Sequence, residues 1–130
     1  MDNPVVWPTI RCKNSRLVID FLVTAFGFRE HFVVANEGGA GVLHAELRWP
    51  SGGGVMLGDQ ILGDPYHLEL PGGPSSVYVV TDEPDALYDR AVEAGADIIR
   101  GLTDEDYGSR GFSAIDPEGN VWSFGTYTGE

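Results

Sequence analysis

The chain has 130 residues, 42% of them hydrophobic and 22% charged, which is the composition of one globular domain with a core of its own. A formal charge of -12 argues against nucleic acid or an anionic membrane as partner, because phosphate binding calls for clustered Lys and Arg. A single cysteine, Cys12, permits neither an intrachain disulfide nor a cysteine zinc cluster.

The longest apolar run, Leu17 to Phe28, is broken by Asp20 and is too short to span a bilayer. The start, Met1-Asp2-Asn3-Pro4, has no basic and apolar leader, so the expected location is cytoplasmic. The charge is uneven, with a net of -2 over residues 1–65 and -10 over residues 66–130. This asymmetry serves solubility or attracts a cationic ligand.

In chain order, Val5 to Arg11 reads as a strand bent at Pro8. Asn14 or Ser15 caps a helix whose apolar stripe is Leu17, Val18, Phe21, Leu22 and Ala25, and Gly27 ends it in a left-handed turn. Arg29 to Ala35 is strand-like, and Asn36 to Gly41 is a turn. Val42 to Trp49 alternates, with His44, Glu46 and Arg48 on one face. After the glycine turn at 51–54 a short strand covers roughly 54–58. Residues 59–74 read as a connector, broken most clearly at Pro71-Gly72-Gly73-Pro74.

The order then repeats. Ser75 to Thr81 is a strand, and Asp82 is placed to cap a helix with Leu87, Tyr88, Ala91, Val92 and Ala94 on its apolar side, ended by Gly95. Strands are expected over Asp97 to Leu102, Arg110 to Ile115 and Val121 to Tyr127. Thr103 to Ser109 forms an acidic loop, and Asp116-Pro117-Glu118-Gly119-Asn120 forms a tight turn. Sliding the sequence by 67 residues puts Pro50 on Pro117, Gly52 on Gly119 and Gly58 on Gly125, so the chain reads as a duplicated β-α-β-β-β module.

Two such modules, with Asp116 to Trp122 before the last strand, Ile19-Asp20-Phe21-Leu22 and Ala25-Phe26-Gly27-Phe28 in the first helix, and Arg90-Ala91-Val92-Glu93-Ala94-Gly95-Ala96 in the second, resemble the vicinal oxygen chelate superfamily. That superfamily holds glyoxalase I, bleomycin-resistance proteins and extradiol dioxygenases. The resemblance implies an α+β fold in one domain over residues 1–130, with modules roughly 4–58 and 75–128. Their mixed sheet is expected to curl around a cleft, often completed by dimerisation.

Metalloenzymes of the superfamily carry ligands on the first and last strand of each module. Those positions fall here on Pro8 or Thr9, Met56, Ser76 and Ser123, none of which is His, Asp or Glu, so no metal and no other cofactor is expected. His44 and Glu46, two apart on one face of a strand, are the candidate acid–base pair, and a metal through them would lack a recognisable third ligand.

Ligand-binding candidates are His44, Glu46, Met56, Tyr78, Tyr107, Arg110 and Ser123. Tyr78 is either a cleft residue or a core residue with its hydroxyl at the surface. Arg110, in an aromatic-Gly-x-Arg stretch, either binds an anionic ligand group or pairs with a carboxylate such as Asp116 or Glu46. The expected function is sequestration of a cationic or aromatic small molecule by a homodimer. The alternative is a glyoxalase-like lyase or isomerase using His44 and Glu46 or an unrecognised divalent metal.

Overall fold

The structure is a computed structural model and describes residues 6–60 and 74–129. The connector expected at 59–74 lies mostly outside the described residues. The first module comprises β1 (Thr9–Cys12), helix α1 (Ser15–Phe21), β2 (Arg29–Ala35), β3 (Val42–Arg48) and β4 (Gly54–Asp59). The second comprises β5 (Ser76–Val80), α2 (Pro84–Glu93), β6 (Asp97–Asp104), β7 (Arg110–Ile115) and β8 (Val121–Gly125). Each module builds one four-stranded mixed sheet, ordered β1-β4-β3-β2 and β5-β8-β7-β6. The first and last strands of a module are parallel neighbours, and the other pairs are antiparallel.

Alternation sorts each sheet into a core face and an open face. Ile10, Cys12, Ala45, Leu47, Val55 and Leu57 are buried on the first sheet, as are Phe112, Ala114, Trp122 and Phe124 on the second. The helices cover these faces, and both modules feed one core. Phe26 lies 4.6 Å from Phe124 and 6.2 Å from Trp122, ring centre to ring centre, and Phe28 lies 5.5 Å from Trp122. Trp49 meets Phe124 at 5.8 Å, so aromatic rings seal the junction between the modules.

The first helix starts as its sequence suggests, with the Asn14 side chain accepting from the Leu17 N–H at 3.1 Å. Its last turn widens into a π-helix over Leu22–Phe26 before Gly27 turns left-handed at φ 86°. Arg90 of α2 crosses to this end and donates to the Thr24 and Val23 carbonyls at 3.1 and 3.2 Å. A guanidinium thus neutralises the exposed carbonyls at the negative end of the helix.

The opposite end is held from both modules. Glu118, in the turn before β8, accepts the Lys13 and Asn14 N–H groups at 2.8 and 2.7 Å. Asp59 accepts the Ser15 N–H at 2.9 Å and the Val42 N–H at 2.9 Å.

Asp116 organises that turn. Its buried carboxylate accepts from the Glu118 and Asn120 N–H groups, the Asn120 side-chain amide and the Trp122 indole, all between 2.8 and 3.1 Å. Gly119 supplies the left-handed backbone at φ 85°, and the Asn120 side-chain oxygen accepts the Ser75 N–H at 2.9 Å, which seats β5 beside β8.

Three local expectations change. Asp82 does not cap α2: Glu83 occupies the cap position without a side-chain bond, and the Thr81 hydroxyl accepts the Glu83 N–H at 3.1 Å. Pro84 already fixes the entry to this helix, so a carboxylate cap is dispensable. On the same helix Leu87 and Ala91 are buried, whereas Val92 is 47% exposed and Ala94 is exposed, because the buried stripe is narrower than the apolar one. Finally, β6 continues to Asp104 rather than ending at Leu102. Thr103 and Asp104 still pair with Gly111 and Arg110, so the acidic loop begins later.

Candidate functional site

The open face of the second sheet carries a cavity of about 210 Å³. Tyr78 from β5, Ser123 from β8, Ser113 and Gly111 from β7, and Tyr107 from the loop before β7 line it. The register explains the convergence. Tyr78 pairs with Ser123 and Ser113 pairs with Ser123, so three side chains project from adjacent strands on one face. The Ser113 and Ser123 hydroxyls hydrogen bond at 2.7 Å.

The Tyr78 hydroxyl donates to the Tyr127 carbonyl at 2.6 Å, and the rings of Tyr107 and Tyr127 meet edge to face at 5.6 Å. Desolvation raises the pKa of the Tyr78 phenol, so it remains a neutral hydrogen-bonding group at physiological pH. Arg100 and Glu105, ion-paired with each other, form one side of the cavity.

The open face of the first sheet carries the other candidates. His44 Nε2 lies 3.0 Å from Glu46 Oε2, and Met56 pairs with Glu46 on the neighbouring strand. Phe32, 42% exposed, lies 5.8 Å from the His44 ring. Two arginines on this face are incompletely satisfied: Arg11 Nε and Nη1 and Arg48 Nε are buried without hydrogen-bond partners. Arg48 also lies 5.0 Å above the Trp7 ring.

The seven sequence-derived candidates therefore divide. Tyr78, Tyr107 and Ser123 share the cavity, while His44, Glu46 and Met56 share the other sheet's open face. Arg110 lines neither. It is held at 2.7 Å from Asp85 and 3.1 Å from Asp104, in place of the expected Asp116 or Glu46. The bond to Arg110 lowers the Asp85 pKa.

The sequence reading did not single out Ser113, Ser109, Tyr127 or Arg11. Ser113 was in reach, since alternation within 110–115 puts it on the same face as Gly111. Tyr127 joins through a chain turn that has no local signature.

The pairing also revises the repeat. Met56 and Ser123 are 67 residues apart, but Thr9 lies opposite Met56 and Tyr78 lies opposite Ser123, so the first strands are offset by 69. The paired positions on the first and last strands are then Thr9 and Met56 in one module and Tyr78 and Ser123 in the other. Hydroxyls, a phenol and a thioether do not form the imidazole and carboxylate set that Zn, Ni, Fe or Mn requires. Among the described residues, no group of three or more His, Cys, Asp or Glu is placed to share an ion.

The sequence profile of the Glyoxalase/Bleomycin resistance protein/Dioxygenase superfamily matches residues 5–124. The chain belongs to this superfamily. It is 33% identical over 127 residues to the uncharacterized protein Mb0911c of Mycobacterium bovis, covering 94% of this chain and 82% of that one. Among solved structures it resembles TioX from Micromonospora sp. ML1, with a TM-score of 0.73 and 31% identity over 92% of this chain and 97% of the other. TnmS3, an antibiotic binding protein from Streptomyces sp. CB03234, also has a TM-score of 0.73, with 20% identity over 95% and 94% of the two chains, a likeness of fold. No helix among the described residues is long and apolar enough to cross a membrane.

Proposed function

We propose that this protein sequesters an aromatic, cationic small molecule on the open face of its second sheet, without a metal and without chemical change. The observation that carries this reading is the tyrosine- and serine-lined cavity. It offers ring faces for stacking and neutral hydroxyls for hydrogen bonding, but no activated nucleophile. The charge of -10 over residues 66–130 favours a cationic guest, and an antibiotic binding protein has the same fold.

The cavity is shallow for a drug-sized guest, and a second copy of the chain supplies the missing wall. The arginine-bearing open face of the first sheet, with its unsatisfied N–H groups, is complementary to the acidic second module of another copy. The homodimer belongs to this proposal.

Thermal shift and calorimetry against a panel of cationic aromatic antibiotics, bleomycin included, test the reading. A ligand at one hundred times its Kd stabilises by about 2.7 kcal/mol, a rise of several degrees in Tm. A Tyr78→Ala variant is expected to lose that rise while remaining folded, since Tyr78 is 48% exposed. Sequestration is refuted if no member of the panel moves the Tm at saturation. The His44–Glu46 pair supports a second reading as an acid–base enzyme. Conversion of a bound panel member, abolished by Glu46→Gln, would favour that reading instead.

A further inference from the structure

A larger cavity, about 490 Å³, lies at the junction between the modules, and Tyr78 lines both it and the tyrosine-lined site. Phe28, Trp49, Val55 and Trp122 form its apolar wall, and consecutive residues of β5 run along its other side. β5 is an edge strand, and its pairing with β8 decides which backbone groups face the cavity.

Ser75 O accepts from Val121 at 2.7 Å and the Thr81 N–H donates to Gly125 O at 2.9 Å. In a parallel pair only alternate residues point to the partner, so Val77 and Val79 face β8 while Tyr78 and Val80 turn their N–H and C=O groups to the free side. The Val80 carbonyl confirms the phase by accepting the Trp49 indole N–H at 3.0 Å. Among the described residues, the backbone N–H and C=O of Tyr78 find no partner. Asp82 is the sole charged side chain among the described residues lining the cavity, and it stands at the C-terminal end of β5.

We propose that this groove binds an extended peptide or peptide-like molecule with a free amino end, added antiparallel to β5 as a further strand. One ligand residue exchanges both backbone hydrogen bonds with Tyr78, as opposed residues do in an antiparallel pair. The residues flanking it turn their side chains to the Phe28–Trp49–Trp122 wall. Antiparallel direction carries the ligand's amino terminus toward Asp82, where the carboxylate receives the ammonium group. The Trp49–Val80 hydrogen bond closes the edge beyond the paired residue, which limits the fit to a short segment. The polar backbone pair selects for an amide-bearing guest, because a purely apolar one would leave the Tyr78 groups buried and unpaired.

The test uses the full-length protein and the tetrapeptide Ala-Phe-Ala-Leu amide. Calorimetry measures the affinity, and Trp fluorescence reports on the Trp49 wall. The peptide's third residue is the one set opposite Tyr78. N-methylation of the third residue removes the donor facing β5, whereas N-methylation of the second leaves that donor in place. The first is expected to weaken binding about tenfold and the second by less than about threefold, the difference being one buried hydrogen bond. Acetylating the amino terminus is expected to weaken binding to the native protein but not to an Asp82→Asn variant.

Equal losses for the two methylated peptides would overturn the added-strand geometry. Absence of binding by the parent peptide would overturn the site altogether. An affinity that falls as protein concentration rises, in step with self-association, would assign the β5 edge to a second copy of the chain and overturn the proposal as well. Antibiotic binding at the tyrosine-lined cavity is measured separately and does not depend on any of these outcomes.

Discussion

Removing the Glu118 carboxylate tests whether the two modules are locked together at the start of α1. Both Glu118 oxygens are used, on the Lys13 and Asn14 N–H groups more than one hundred residues away in sequence. Hydrogen bonds to a charged group contribute about 1.5–3 kcal/mol each, and the exposed setting here argues for the low end. The carboxylate also lies at the positive end of the helix, which adds a few tenths of a kcal/mol. Glu118→Ala is therefore expected to cost about 3 kcal/mol. Glu118→Gln is expected to cost about 1–2 kcal/mol, because the amide keeps one acceptor but turns an N–H donor toward a backbone N–H.

Urea unfolding followed by Trp fluorescence and far-UV circular dichroism measures the loss at constant m. For 130 residues, 2 kcal/mol corresponds to a fall in Tm of roughly 6–12 °C. The binding cavity is on the other side of the second sheet, so ligand affinity should be unchanged in the folded variant. A loss below about 0.5 kcal/mol for Glu118→Ala would refute the clamp and leave the aromatic junction to hold the modules.

Three further outcomes follow from the packing. Cys12 is fully buried, and burial first, then the charge of Glu118, pushes its thiol up to about 12. A disulfide reagent at pH 8 should leave the native protein unlabelled and react on unfolding, and stoichiometric labelling of native protein would contradict the burial. A raised folded pKa favours the protonated form, so this contribution is complete below the unfolded value near 8.5 and is lost as pH rises toward 12. Urea stability should consequently fall more between pH 8.5 and 10.5 in the native protein than in Cys12→Ala. In the second sheet, a Cβ on Gly111 would overlap the Phe124 carbonyl oxygen, whereas one on Gly101 meets nothing within 4 Å. Gly111→Ala should destabilise by about 2–3 kcal/mol and Gly101→Ala by less than about 0.5 kcal/mol in the same urea assay, and equal effects would refute the close approach of β7 and β8.

The local order of elements was legible because periodicity and turn chemistry act over a few residues. The alternation in 42–49 separates His44, Glu46 and Arg48 from Ala45 and Leu47, and Gly27 takes the left-handed turn assigned to it. That Tyr78 and Ser123 share a sheet face was legible for the same reason. Their partners were not: Arg110 had several carboxylates within plausible reach, and only the packing of α2 and the β6–β7 loop selects Asp85 and Asp104.

The sequence by itself determined two β-α-β-β-β modules in tandem. Tertiary structure alone decided the rest. The Asp116–Asn120 turn is an example: its glycine and asparagine announce a turn, but nothing local shows that Glu118 will cap a helix of the other module or that Asn120 will seat β5. The same holds for the 69-residue offset of the first strands, which sets Tyr78 beside Ser123 and turns its backbone to the junction cavity. The physical reason is common to these cases. Side-chain direction along a strand is fixed by a period of two residues, but register and end-capping depend on which distant groups share a desolvated contact.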